Sequence, residues 1–141
     1  MSEYTQCVNN KKVEFGNDFK TMFEVLDLFG VERRGMGKGV FEIPGNEKGV
    51  VCMMTDERKG VRCERNYGSE YDGRGWQEVV SIEEIGIDGN EVVDVSGKEC
   101  FVFYKMERLG ESWWKFLGVF EVGEYIGDHC VYVRKSKEGR L

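Results

Sequence analysis

Glu99-Cys100-Phe101-Val102-Phe103-Tyr104-Lys105-Met106, followed after a polar turn by Trp113-Trp114-Lys115-Phe116-Leu117-Gly118-Val119-Phe120-Glu121-Val122, is the stretch that decides the fold. Both runs are rich in aromatic and β-branched residues, which favour strands. A third strand is expected at 129–134. Working back toward the N-terminus, residues 40–43 form a strand that ends at the turn signal Pro44-Gly45-Asn46, and residues 49–54 read as a buried strand. A polar turn over 55–60 leads into a return strand at 61–64, and residues 66–75 read as a turn-rich loop. Residues 77–87 read as strand or a short helical turn, and residues 92–95 as a strand after the Gly89-Asn90 turn. Before all of these, Phe19, Met22, Phe23 and Leu26 recur at helical spacing, with Asn17 or Asp18 as cap and Gly30 as stop, predicting a helix over 17–30. The expected fold is α+β: a small, mostly antiparallel β-barrel or curved sheet over about 39–135, flanked by one N-terminal helix, within a single domain of residues 1–141.

Composition agrees with that class. The chain has 141 residues, 40% hydrophobic and 13% aromatic, enough for one core, and it contains 19 glycines but no alanine, the best helix former. No run of about 18 apolar residues is present and the N-terminus carries no basic-then-apolar leader, so neither a membrane span nor a secretory signal is expected. The five cysteines lie mostly in apolar runs, as core residues do in a reducing compartment, which places the protein in an intracellular setting, cytoplasmic or nuclear. They include no Cys-x-x-Cys and have a single histidine beside them, so no metal and no cofactor is expected.

Charge is uneven although the net is only −6. Residues 33–74 carry nine Lys/Arg against seven Asp/Glu, whereas 77–99 carry Lys98 alone against seven acids. The acidic segment repels phosphate, so a nucleic-acid face must lie elsewhere. Gly35-Met36-Gly37-Lys38-Gly39, with Arg33 and Arg34, is a basic loop able to touch a polyanion, but it has neither the P-loop ending nor a dinucleotide fingerprint. Tyr67, Tyr71 and Trp76 stand in a polar, glycine-rich stretch beside Arg62, Arg65 and Arg74. Rings there can stack on bases, arginines can hold phosphates, and Asp72 or Glu70 can read a base edge; equally, the rings can cap the mouth of a barrel. Consecutive Trp113 and Trp114 point to opposite faces of a strand, so one can anchor a partner. His129 is the only imidazole available to activate a thiol, and on a strand it points away from its neighbour Cys130, leaving Cys7 or Cys63 as candidate partners.

The order of blocks from about residue 31 to 135 resembles the PUA-like barrels, and within them the SRA (SET and RING associated) domains and related modules of modification-dependent nucleases. The resemblance rests on the basic glycine stretch, Gly49-Val50-Val51-Cys52-Met53-Met54, the loop with Tyr71-Asp72-Gly73 and Trp76, and Phe116-x-Gly118-x-Phe120-x-Val122 before a last strand ending Val133-Arg134-Lys135. It implies a DNA-binding barrel that accommodates a flipped, modified cytosine. The chain departs from the family in having Phe116-Leu117-Gly118 where the family carries Tyr-Asp-Gly, and in lacking its Tyr-Thr-Gly stretch.

The leading expectation is a non-catalytic nucleic-acid recognition module reading a modified base, with Arg33, Arg34, Lys38, Arg62, Arg65, Tyr67, Tyr71, Asp72, Arg74 and Trp76 as binding residues and no catalytic residue. The alternative is a protein-interaction module using Trp113 or Trp114 and the acidic face, and the third is a thiol-dependent enzyme using His129.

Overall fold

The structure is a computed structural model and describes residues 2–32, 39–71 and 77–141, with side chains at 69–71 and 77 left aside. The chain begins with helix α1 (Glu3–Asn10), capped by Ser2, whose Oγ accepts the Thr5 N–H at 3.1 Å. Strands β1 (Lys12–Glu14) and β2 (Asp18–Phe19) precede helix α2 (Met22–Leu28). The predicted helix over 17–30 is therefore shorter at its start. Thr21 caps it through the Glu24 N–H at 3.2 Å, a Thr-x-x-Glu start signal that outcompetes Asn17 and Asp18. Asp18 and Phe19 instead pair as strand with Lys115 and Trp114, which buries Phe19. Helix α1 escaped the sequence reading because it is short and contributes only Cys7 to the core.

Nine strands follow: β3 (Val40–Ile43), β4 (Asn46–Met54), β5 (Glu57–Arg58), β6 (Val61–Tyr71), β7 (Gln77–Gly86), β8 (Glu99–Arg108), β9 (Glu111–Tyr125), β10 (His129–Ser136) and β11 (Glu138–Arg140). They form one long sheet in the order β3-β4-β8-β9-β10-β7-β6-β5, with β2 on β9, while β1 and β11 pair separately. All pairings are antiparallel except β4 with β8, which sets Val50 beside Cys100 and Met54 beside Tyr104. The expected barrel is not closed: β3 and β5 are the two ends of a curved sheet. Those ends still approach one another, since a Cβ on Gly39 would lie 3.4 Å from Arg58 Nη1.

Alternation along β4 and β8 divides the interior in two. Val51, Met53, Phe101, Phe103 and Phe116 pack under α1, α2 and Phe19. Val50, Cys52, Cys100, Val102, Tyr104, Phe120, Cys130 and Tyr132 face the other way, into the core that the sheet curls around. Because both faces are covered, β4 and β8 read as continuous apolar runs.

Two local expectations change and one alternative is settled. Residues 66–71, expected as loop, continue β6, which pairs with β7 through bulges at Asn66/Tyr67 and Tyr67/Tyr71. Of the two alternatives for 77–87, strand is the one found, over 77–86. Residues 92–95 form no ladder: the Val92 N–H goes to the Gly127 carbonyl at 2.9 Å, and Asp94 turns the chain by accepting the Ser96 N–H at 2.9 Å. Val92 and Val95 nevertheless reach the inner core.

One ion-pair group ties β7 to the end of β10. Glu78 lies 2.5 Å from Lys137 Nζ and 2.9 Å from Arg134 Nη2, and hydrogen bonds from Lys137 and then Arg134 hold its carboxyl below the usual range. A carboxyl depressed in the folded state contributes stability at neutral pH that is lost as pH falls through its folded pKa. Glu78→Gln should therefore be less stable than the native chain at pH 7, with the difference vanishing in acid. Paired denaturation curves at several pH values check this.

Candidate nucleic-acid interface

The groove begins at Tyr104, whose ring is buried in the inner core but whose hydroxyl reaches the rim and donates to Asp56 Oδ1 at 2.7 Å. Burial, and then this hydrogen bond to a carboxylate, push the phenol well above its ordinary value, so it remains a donor at all working pH. Arg65 arrives from β6 and lays its guanidinium over the same ring, 4.4 Å from the centroid, with Nη2 3.5 Å from Asp56 Oδ1 and Nη1 3.4 Å from Met106 Sδ. Stacking fixes the arginine's planar fork while leaving donors for a ligand. Asp56 stays 74% exposed on its side chain, so it retains acceptor capacity toward the groove.

Around this Asp56–Arg65–Tyr104 group lies a groove of about 890 Å³ whose walls include Arg58, Lys105, Arg108 and Trp113. It also holds the acids Glu57 and Glu107, the latter 3.6 Å from Lys105 Nζ. Trp113 is the half-buried member of the tryptophan pair, and Trp114 is only 8% exposed and packs beneath it in the helix-side core. Sequence left open which ring faced out; strand register makes it Trp113. A hydrogen bond with Trp113 also steadies Asp18, whose carboxyl is raised chiefly by burial.

Thr55 and Arg58 also line a smaller cavity of about 110 Å³, walled by Met54, Cys63 and Val92 and carrying the Glu84 carboxylate. Glu84 accepts a hydrogen bond from the Tyr132 hydroxyl.

Of the residues expected from sequence, Arg65 stands in the groove. Arg62, three positions earlier on the same strand, is exposed on the opposite face and pairs with Glu64 at 3.5 Å. Tyr67 is 47% exposed on β6. Tyr71 belongs to β6 by its backbone. Arg33, Arg34, Lys38, Asp72, Arg74 and Trp76 lie outside the described residues, as do Glu70's side chain and the core of the 35–39 glycine stretch. Sequence reasoning missed Arg58, Asp56, Glu84, Lys105 and Arg108, which converge from β5, β7, β8 and the β4–β5 turn.

The thiols are arranged otherwise than a nucleophile needs. All five are buried and free. Burial pushes Cys7 up to about 11 and Cys63 and Cys130 up to about 12, and Cys52 is raised by its hydrogen bond with Cys100 and by burial. His129 Nε2 sits 3.3 Å from Glu83, on the face opposite Cys130. Alkylation at neutral pH is expected to be slow at every cysteine of the native protein and fast only after unfolding, because the thiolate is the reactive form. A mass-spectrometric time course checks this, and one rapidly labelled thiol would restore the nucleophile hypothesis. Among the described residues no group of three His, Cys, Asp or Glu side chains could hold a metal ion, and no helix is long and apolar enough to cross a membrane.

No protein-family model matches the chain, and no curated protein does. Among solved structures it is similar to the 5-hydroxymethylcytosine-specific restriction enzyme AbaSI, with a TM-score of 0.69 and 14% identity over 98% of this chain and 45% of that one. This chain thus spans less than half the length of that enzyme. The likeness shows the fold: an α+β, PUA-like curved sheet with an N-terminal helical flank.

Proposed function

We propose that this chain is a nucleic-acid recognition module and that its ligand is DNA carrying a modified base. The observation that carries the reading is the groove itself: four cationic side chains, a half-exposed tryptophan and an exposed acceptor, Asp56, share one concavity. Cations in such a groove hold phosphates, Trp113 offers a stacking face, and acceptors read exocyclic amines. The adjoining cavity adds a second acceptor, Glu84, and a carboxylate is the side chain suited to the amino group of cytosine. The fold is shared with AbaSI, a 5-hydroxymethylcytosine-specific restriction enzyme, which supports the modified-base reading. Arg33, Arg34, Lys38, Arg74, Tyr67, Tyr71, Asp72 and Trp76 belong to the same proposal as flanking contacts, in an intracellular setting.

The test is a fluorescence-polarisation titration of labelled duplex and single-stranded DNA and RNA, with and without modified cytosine, at two salt concentrations. Binding should weaken with salt, the log–log slope falling by roughly 0.9 for each duplex phosphate neutralised. Absence of binding at low salt, or binding indifferent to salt, would overturn the reading.

A further inference from the structure

The hairpin joining β8 to β9 leaves the sheet. β4 accompanies β8 only as far as Tyr104, and β2 contacts β9 only at Trp114 and Lys115. Beyond them Met106–Trp113, Glu107–Ser112 and Arg108–Glu111 pair as a two-stranded ribbon, and residues 107–112 are all exposed. Its tip is Leu109-Gly110, with φ of 52° and 81°. Positive φ at both positions is the type I′ turn that favours Asn-Gly or Gly-Gly. Leucine there is strained, and among the described residues the other non-glycine positions of positive φ are Lys11, Lys59 and Asp88, all polar. Leu109 is also 94% exposed, the most exposed of the large apolar side chains among the described residues. The chain thus holds a bulky apolar group in a strained backbone, in water, at the end of a projecting ribbon.

We propose that Leu109 is a wedge that enters a base step of duplex nucleic acid while the groove holds the strand. The inference rests on the nucleic-acid reading above. A projecting two-stranded ribbon can carry its tip to a duplex, and leucine is among the side chains that minor-groove binders insert between base steps, unstacking them. Arg108 lines both the groove and the hollow of about 390 Å³ under the tip, so wedge and groove are continuous. The ribbon's own charges cancel: Lys105 lies 3.6 Å from Glu107, and Arg108 stands across from Glu111. Its contribution should therefore come from apolar insertion, with little change in salt dependence.

Leu109→Asn separates this role from a structural one, because asparagine suits the turn better than leucine does. That variant should melt at a higher temperature. In a duplex carrying 2-aminopurine, the native protein should raise the probe's fluorescence as the step unstacks. Leu109→Asn should abolish that rise and weaken duplex binding by about tenfold or more, the scale of withdrawing one leucine from an apolar site. Its binding to single strands should be unchanged, and Leu109→Phe, which keeps an apolar tip, should retain the rise. If the native protein binds duplex but Leu109→Asn matches it in affinity and fluorescence, the wedge is wrong and the nucleic-acid reading stands. If the native protein binds no oligonucleotide, both fall. Loss of a protein partner with duplex binding intact would also overturn the wedge, assigning the tip to protein contact.

Discussion

Arg65→Ala is expected to weaken oligonucleotide binding by about 1–3 kcal/mol, roughly five- to 150-fold, whereas Arg62→Ala leaves it nearly unchanged. The two arginines are three residues apart on one strand, yet Arg65 stacks on Tyr104 inside the groove and Arg62 pairs with Glu64 on the far side. Removing Arg65 also leaves Asp56 without its cation, adding an uncompensated acid to a site meant for phosphate. Part of any loss is structural, since a cation–π contact is worth about 0.5–2 kcal/mol of stability. Polarisation titrations beside melting curves separate the two effects. Equal binding by Arg65→Ala and the native chain, with loss in Arg62→Ala, would move the interface to the outer face.

Phe116→Ala should be the more costly change for folding, lowering stability by about 3–5 kcal/mol. The side chain is fully buried, its ring centroid 5.0 Å from that of Phe103 and 6.5 Å from that of Phe101. Its backbone also anchors the N-terminal layer: the Phe116 N–H donates to the Asn17 carbonyl, and its own carbonyl accepts the Gly16 N–H, both at 2.9 Å. Truncating the ring opens a cavity between the sheet and the helices without removing those bonds. Urea denaturation at constant slope measures it. A loss below about 1 kcal/mol would mean that the helical layer is not packed on the sheet as described.

The strands that read most clearly in the sequence are those with an unbroken apolar run or strict alternation. Residues 40–43 and the cores of β4, β8, β9 and β10 all fall where expected. The misplacements have local causes. Phe19 kept the helical period but was drawn into a bridge with β9, and Val92 and Val95 looked like strand because both are buried, although their backbone bonds go to turns. Residues 66–71 looked like loop because polar side chains on β6, which β5 flanks only at Val61 and Arg62, hide a continuing ladder with β7. The parallel pairing of β4 with β8 had no local signal, since more than forty residues separate the partners. That same long-range pairing gathers the groove, which is why Arg65 and the tryptophan pair were noticed while Arg58, Lys105 and Arg108 were not. A charged residue on a strand announces its face only after register is known.

The most direct test of the central claim is an ¹⁵N-labelled NMR titration with a short modified-cytosine duplex, following the tryptophan indole N–H signals and the backbone amides. The account predicts that the Trp113 indole and the amides of residues 105–112 shift on binding, together with Arg65 and Asp56. Binding that leaves these signals in place and gathers its shifts on the outer face around His129 and Val133 would contradict it.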